Sequence, residues 1–281
     1  MVNFNGTIFK DNEQIISIYN RGLNYGDAVF ETLKVVASKV YFLEDHYFRL
    51  MASMRILRME IPMNFTMEFF EQEILKTVSA SKITSEAYRV KVFVNRKAGG
   101  KYTPDTNDID YLVSVEPLDV SFYTTNETVY EVELFKDYFI SSNLLSTLKT
   151  TSKVVNVLGS IYAKENSYQN CLLLNDNKQV IEALNGNVFL VKGNSIITPP
   201  ISDGCLRGII RKQIIDICKL SKDYTITEES ISPFDLQKAD ELFITNVIVG
   251  IQSITKYRKK EFTSNVAKDL LQKLNVKARL S

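Results

Sequence analysis

The chain has 281 residues, of which 45% are hydrophobic and 24% are charged, and its formal net charge is +1. This length predicts two domains, and the balanced charge gives no reason to expect a nucleic-acid or membrane partner. The three scattered cysteines and the single histidine argue against a disulfide framework, a His-rich metal site and a Ser-His-Asp triad. We therefore expect a cytoplasmic protein without a metal site or secretory leader, whose chemistry comes from lysine, carboxylates or a cofactor.

The first part of the chain alternates between strand patterns and two amphipathic helices. In chain order the predicted elements are a strand pair with a turn at Asn5-Gly6, a strand over 28–36 with a hairpin partner over 40–43, a helix that opens at Glu44, a helix over 66–80, and the strands AYRVKVFV and DYLVSVEPL. The last two strands flank a glycine-containing loop, AGGKYTP. Two helices among antiparallel strands predict an α+β domain over residues 1–120.

The second part of the chain is richer in short strands. The pattern predicts a strand over 127–135, a helix over 153–169, strands at CLLL, VFLV and SIIT, a helix at GIIRKQIIDICKL, strands within ELFITNVIVGIQSI, and a final helix from Asn265. These elements predict a mostly β domain over residues 121–281.

One candidate for chemistry is Lys149, in the stretch LLSTLKTTSKVVN. A lysine becomes nucleophilic when desolvation or a neighbouring cation, here Lys153, leaves its amine partly neutral. Taken alone, the same residue also fits a solvated surface lysine.

Two further features suit a phosphate-bearing cofactor. Glu182 lies between a strand and the polar turn LNGN, where a carboxylate either is solvated or holds a cationic ring nitrogen. Gly204 and Gly208 bracket a turn that leads into a helix, whose free backbone N–H groups can bind phosphate. That turn also fits an ordinary glycine turn before a packed helix. Together, a lysine, a carboxylate and a phosphate site are the parts that pyridoxal phosphate binding requires.

Six segments in chain order carry a family resemblance: NRGLNYGDAVFETLKV, LEDHYFRLMASMRIL, LKTTSKVVNVL, VIEALNGNVFLV, ITPPISDGCLRGIIRKQII and ADELFITNVIVGI. They resemble the motifs of the class IV, or fold type IV, pyridoxal-phosphate family of branched-chain and D-amino-acid aminotransferases and 4-amino-4-deoxychorismate lyase. The resemblance implies an α+β fold with a small N-terminal domain and a larger pseudo-barrel C-terminal domain. It also implies an active site between the domains and a homodimer with that site near the subunit interface.

The resemblance assigns roles to individual residues. Lys149 would be the catalytic lysine that binds the cofactor covalently, Glu182 would face the pyridine nitrogen, and Arg49 would bind the phosphate. The other cofactor-binding residues that it implies are Asn187, Gly208, Ile209, Ile210, Thr245 and Asn246. The substrate-binding residues that it implies are Phe30, Glu31, Lys101 and Tyr102. The leucines before Lys149 then fit a buried strand, and His46 fits a packing residue at the start of a helix.

The reaction is less constrained than the cofactor. The VFE sequence around Phe30 matches branched-chain enzymes, whereas Ile210 and Asn246 resemble the lyase. We predict an aminotransferase that moves an amino group between a small branched-chain or other apolar amino acid and a 2-oxo acid. The alternatives are a lyase that forms 4-aminobenzoate and pyruvate, and a catalytically inert pyridoxal-phosphate-binding protein on the same fold.

Overall fold

The computed structural model describes residues 1–81, 85–125 and 128–281. They form two compact units, the first made of Met1–Ser121 with Lys149–Ser152 and Ser281, the second of Phe122–Leu148 and Lys153–Leu280. Lys149 therefore lies with the first unit, although the sequence-based division assigns it to the domain 121–281. That division stays a prediction.

The first unit is an antiparallel sheet with helices. Its elements are β1 (Val2–Phe4), β2 (Thr7–Phe9), α1 (Arg21–Tyr25), β3 (Ala28–Val36), β4 (Lys39–Val40), α2 (Leu43–Ile56), α3 (Met67–Ala80), β5 (Ala87–Arg96) and β6 (Ile109–Leu118). Among the described residues the six strands form one sheet in the order β2-β1-β6-β5-β3-β4. Asn5 and Gly6 have φ values of 49° and 86°, which confirms the predicted tight turn. The predicted strand 40–43 is shorter than expected, because Phe42 adopts a left-handed conformation that ends the hairpin before α2.

The core of the first unit lies between this sheet and the helices α2 and α3. Alternate residues of β3, Val29, Leu33 and Val35, are buried in this core, as the period of two along a strand requires. The helices contribute, among others, Leu50, Met51, Met54, Phe70 and Ile74. Glu31 occupies the same face of β3 as these apolar residues, so a carboxylate is buried in an otherwise apolar layer.

The second unit contains the remaining strands and helices. Its elements are β7 (Glu131–Ile140), α4 (Val154–Glu165), β8 (Asn170–Asn175), β9 (Val180–Ala183), β10 (Gly186–Lys192), β11 (Ser195–Thr198), α5 (Ile209–Leu220), β12 (Thr225–Glu228), α6 (Pro233–Leu236), β13 (Glu241–Asn246), β14 (Gly250–Ile254), β15 (Lys256–Tyr257), β16 (Lys260–Glu261) and α7 (Asn265–Leu280). Residue 127, where we placed the start of a strand, lies outside the described residues.

The sheet of the second unit is mixed. In the described part of the chain it has ten strands in the order β12-β11-β10-β9-β8-β7-β15-β16, with β13 joined to β10 and β14. β7 runs parallel to β8, and β10 runs antiparallel to β9 and β13. Apolar side chains of β8, β10 and β13 form a buried cluster, and α5 lies against β13. Within the described ranges no helix is both long and apolar enough to cross a membrane.

Candidate active site

The Lys149 segment is held against the start of β3 by backbone hydrogen bonds. The Phe30 N–H donates to the Lys149 carbonyl at 2.9 Å, and the Thr151 N–H donates to the Ala28 carbonyl at 3.2 Å. Thr150 forms an isolated β-bridge with Val29. The residues after the lysine thus form a short antiparallel pairing, which fixes the position of the Lys149 backbone.

The amine of Lys149 lies over an aromatic ring. Its Nζ is 4.5 Å from the centre of the Phe30 ring, and the Nζ of Lys91 in β5 is 4.8 Å from the same ring. Burial, and next the charge of Arg89, lower the pKa of Lys91. Our sequence analysis missed Lys91, although the strict alternation of AYRVKVFV places it on the face of β5 that does not join the core.

The leucines before Lys149 do not form the strand that we expected. Residues Leu145–Thr147 form a short 3-10 helix, and the side chains of Leu144 and Leu145 are exposed. The cause is a polar turn residue, because the Asn143 side chain accepts hydrogen bonds from the N–H groups of Leu145 and Ser146. The prediction of a buried strand is therefore wrong, and of these leucines only Leu148 is buried.

Arg49, predicted to bind phosphate, is paired with Glu31, predicted to bind substrate. Arg49 Nε donates to one Glu31 oxygen at 2.7 Å and Nη2 donates to the other at 2.5 Å, while His46 Nδ1 lies 2.7 Å from the second oxygen. Burial alone would raise the pKa of Glu31, but the charge of Arg49 and the hydrogen bonds from Arg49 and His46 lower it to about 2. Burial lowers the pKa of His46. An anionic Glu31 therefore holds Arg49.

Lys101 and Tyr102, both predicted to bind substrate, lie in the loop between β5 and β6. Both side chains are exposed, and Arg21 donates hydrogen bonds to the backbone carbonyls of Lys101 at 2.6 Å and Tyr102 at 3.4 Å. Arg21 also pairs with Asp27 at 2.9 Å. The loop conformation thus depends on Arg21, which our sequence analysis overlooked although it belongs to the segment NRGLNYGD.

In the second unit, Glu182 and Asn187 hold the same peptide. The Glu182 carboxylate accepts a hydrogen bond from the Leu206 N–H at 2.9 Å, and the Asn187 amide donates to the Leu206 carbonyl at 2.8 Å. Glu182 and Asn187 are also directly opposite each other on β9 and β10. Both predicted cofactor residues are buried, and together they fix the chain just before α5.

The first turn of α5 contains three predicted cofactor residues, Gly208, Ile209 and Ile210. Gly208 is the N-cap and provides no side-chain hydrogen bond, so the N–H groups of the first turn receive no capping side chain. A Cβ at Gly208 would overlap Asn187 Oδ1, so any larger residue there would force the Asn187 side chain to move. An uncapped helix N-terminus with a glycine entry can accept a phosphate group.

Thr245 and Asn246 end β13 beside this turn. Thr245 is directly opposite Asn187 in the sheet, and among the described residues its buried Oγ1 has no hydrogen-bond partner. Such an orphaned hydroxyl fits a ligand oxygen. Asn246 Oδ1 instead accepts hydrogen bonds from the N–H groups of Ile248 and Val249, at 3.0 and 3.1 Å, and so stabilises the β13–β14 turn.

The structure thus brings the predicted residues together in two groups. In the first unit, Lys149 meets Phe30, and Arg49 meets Glu31. In the second unit, the group consists of Glu182, Asn187, Gly208, Ile209, Ile210, Thr245 and Asn246. Among the described residues, no three or more His, Cys, Asp or Glu side chains lie together as potential metal ligands.

Comparisons with known proteins agree with this arrangement of motifs. Residues 28–257 match the model of the amino-transferase class IV family. A relative in Methanocaldococcus jannaschii, provisionally assigned as a branched-chain-amino-acid aminotransferase, is 27% identical and covers 97% of this chain and 93% of its own. A D-alanine aminotransferase of Listeria innocua is 26% identical and covers 89% of this chain and 85% of its own.

Solved structures share the fold. The branched-chain aminotransferase of Thermobaculum terrenum in its PLP form has a TM-score of 0.85 at 21% identity, covering 100% of this chain and 94% of its own. The 4-amino-4-deoxychorismate lyase of Pseudomonas aeruginosa has a TM-score of 0.83 at 21% identity, covering 98% of both chains. The predicted α+β, fold type IV architecture is confirmed.

Proposed function

Because this chain belongs to the class IV amino-transferase family, we propose that it is a pyridoxal-phosphate-dependent transaminase acting on a small apolar amino acid and a 2-oxo acid. One observation carries the proposal. In the second unit, the orphaned Thr245 hydroxyl, the uncapped start of α5 and the buried Glu182 carboxylate are tied to one framework through Asn187. That framework offers phosphate donors and a carboxylate at fixed positions.

The residues present fit the cofactor. The N–H groups of Ile209 and Ile210, the Thr245 hydroxyl and the Arg49 guanidinium would bind its phosphate. Glu182 would hold a proton on its pyridine nitrogen, and the Lys149 amine would bind its aldehyde carbon.

Bound pyridoxal phosphate would supply the electron sink that stabilises negative charge at the substrate Cα. Lys149 would move the proton at that Cα as general base and acid, and the pairing of its backbone with Phe30 limits where the amine can be. The Phe30 ring beneath the amine would exclude water and favour an apolar substrate side chain. The branched-chain aminotransferases among the similar proteins support this substrate class.

The proposal is tested by a transamination assay on the reconstituted protein. With leucine, isoleucine or valine and 2-oxoglutarate, we expect formation of the matching 2-oxo acid, and Lys149→Ala should reduce the rate by about 10³-fold. Lys268→Ala, which changes an exposed lysine on α7, is the matched control and should keep the wild-type rate. Activity only with D-alanine would contradict the proposed substrate class but not the proposed reaction. Absence of activity with every L- and D-amino acid would refute a transaminase.

A second candidate, the lyase, is favoured by Lys91. Its cationic amine contacts the same Phe30 ring as that of Lys149. A half-buried cation on that ring suits a substrate with an additional carboxylate, as aminodeoxychorismate has. The test is pyruvate release from aminodeoxychorismate, compared between wild type and Lys91→Gln. Release that depends on Lys91 would establish the lyase, and no release would exclude it. An inert protein would show neither activity while still binding the cofactor.

We propose a homodimer in which a second copy covers one face of α4. Val154, Val157, Leu158 and Ile161 follow helical spacing, and all four are exposed in the single chain. Light scattering should give twice the chain mass for the wild type. Val157→Glu should lower this mass toward that of the monomer, and Ser160→Glu, on another exposed side of the helix, should not.

We propose that the protein is cytoplasmic. Its cysteines, Cys171, Cys205 and Cys218, are all buried free thiols, and burial raises the pKa of each of them. Free thiols in place of disulfides are typical of proteins in a reducing compartment. Fluorescence microscopy of the tagged protein in its source cell would test this location.

A further inference from the structure

Glu31 is buried beneath α2, and its two carboxylate oxygens form hydrogen bonds with two residues of that helix. Its side chain is 1% exposed, and the Arg49 side chain is 11% exposed. His46 and Arg49 are three residues apart, so both point from α2 toward the same part of β3. The Glu31 carboxylate therefore lies between His46 and Arg49 and contacts both side chains.

The pKa shifts of Glu31 and His46 indicate the charge that each side chain carries. The lowered pKa of Glu31 keeps the carboxylate anionic, and burial, which lowers the pKa of His46, favours the neutral ring. A neutral ring that donates from Nδ1 to Glu31 has its Nε2 as the acceptor nitrogen. His46 thus acts as a hydrogen-bond donor that fixes the carboxylate, without adding a second positive charge.

The bidentate pair restricts the Arg49 guanidinium. An arginine side chain loses much rotamer entropy when it is fully ordered. Glu31 binds the Nε and Nη2 edge, so that the plane of the guanidinium and the direction of its Nη1 edge are set before any ligand binds. Preorganisation of this kind strengthens binding, because the arginine is already ordered in the ligand-free protein and loses little further entropy when the ligand binds.

We propose that Glu31 and His46 are positioning residues that orient Arg49 toward the phosphate of bound pyridoxal phosphate. This inference rests on the proposed function, and it replaces the substrate-binding role that the sequence suggested for Glu31. A competing effect exists, because an anionic Glu31 also repels the phosphate. If positioning dominates, loss of the Glu31 carboxylate weakens pyridoxal phosphate binding, and if repulsion dominates, it strengthens that binding. Binding measurements therefore separate the two effects.

The test compares two probes, pyridoxal phosphate and pyridoxal, which lacks the phosphate. Both are titrated into apoprotein prepared from the holoprotein, and binding is followed by absorbance. Glu31→Gln should weaken pyridoxal phosphate by about tenfold to a hundredfold, the range for hydrogen bonds to a charged group, and leave pyridoxal unchanged. An equal loss for both probes would indicate a merely structural role, and tighter binding of pyridoxal phosphate would indicate dominant repulsion. Either result overturns the inference.

Further variants keep the test decisive if Glu31→Gln folds poorly. His46→Asn retains an N–H near the position of Nδ1 and should bind pyridoxal phosphate as the wild type does, whereas His46→Leu should bind it more weakly. In the Arg49→Gln background, Glu31→Gln should cause no additional loss, since both changes act through one guanidinium. An additional loss there would refute positioning through Arg49. Wild-type protein that binds neither probe would instead refute the proposed function itself.

Discussion

Two buried glutamates, one in each unit, are held in different ways. Glu31 accepts hydrogen bonds from the charged guanidinium of Arg49 and from His46, whereas Glu182 accepts one from the neutral backbone N–H of Leu206. A carboxylate paired with a buried cation cannot be removed without leaving that cation uncompensated. A carboxylate held by a backbone N–H can be replaced by an amide oxygen that accepts the same bond. Glu31 should therefore matter first for folding, and Glu182 first for chemistry.

The largest expected effect is on stability, from Glu31→Ala. Removing one partner of a buried ion pair costs about 3–5 kcal/mol, and we expect a loss of this size in the free energy of unfolding measured with urea. Glu116→Ala is the matched control, since Glu116 pairs with Arg89 at 2.8 Å in the same sheet but is 64% exposed. That exposed pair should contribute about 0–1 kcal/mol. Equal losses in the two variants would contradict the comparison.

Glu182→Gln should give the opposite result. The amide oxygen still accepts the Leu206 N–H, so the free energy of unfolding should change by about 1 kcal/mol or less. A neutral amide cannot hold a proton on the cofactor ring, and the transamination rate should fall by about 10²–10³-fold. Glu241→Gln is the control, because Glu241 is also buried and accepts the N–H groups of Val266 and Ala267. An equally large activity loss in Glu241→Gln would show that the effect of Glu182→Gln is not specific to a carboxylate at the cofactor site.

The pH dependence of stability isolates Glu31. Its pKa is about 2 in the folded protein against 4.5 for the ordinary carboxyl, so its contribution is complete above pH 4.5 and is lost as the pH falls toward 2. The contribution is about 3 kcal/mol, from this difference in pKa. His46 also destabilises the folded state when it must gain a proton, because its pKa is lowered. The comparison is therefore made between His46→Asn and His46→Asn/Glu31→Gln, whose unfolding free energies should converge below pH 4.5.

Much of the environment of Glu31 could be predicted from the sequence. Val29, Glu31, Leu33 and Val35 alternate along β3, which places the carboxylate on the core face. The spacing of His46 and Arg49 places both on one side of α2. Short-range periodicity is sufficient because each element carries its own pattern.

The environment of Glu182 could be predicted only as a motif. Its partner Leu206 lies 24 residues away in a turn without periodicity. Phe30 and Lys149, which pair through their backbones, are even farther apart in the sequence. The leucines before Lys149 are exposed because the Asn143 side chain accepts a hydrogen bond that forms a turn, and a pattern of apolar residues does not predict such a bond. Periodicity predicted the helices and strands, whereas turn geometry and long-range backbone pairing decided how the chemical groups are held.

The smallest expected effect comes from Gly208→Ala, which acts on the turn that carries Leu206. Gly208 has φ of −67°, which alanine adopts readily, so any loss must come from the new Cβ against Asn187 Oδ1. Asn187 would have to move and release the Leu206 carbonyl, at a cost of about 1–3 kcal/mol in the free energy of unfolding.

The same change should weaken pyridoxal phosphate more than pyridoxal, because the displaced turn carries the first N–H groups of α5. Asn187→Ala/Gly208→Ala should be no less stable than Asn187→Ala alone, since the obstruction is then absent. Additive losses would mean that Gly208 acts through another contact. In that case Glu182 and Asn187 would not hold the Leu206 turn as one framework. The comparison with the ion-paired Glu31 would then rest on the hydrogen bond between Glu182 and Leu206 alone.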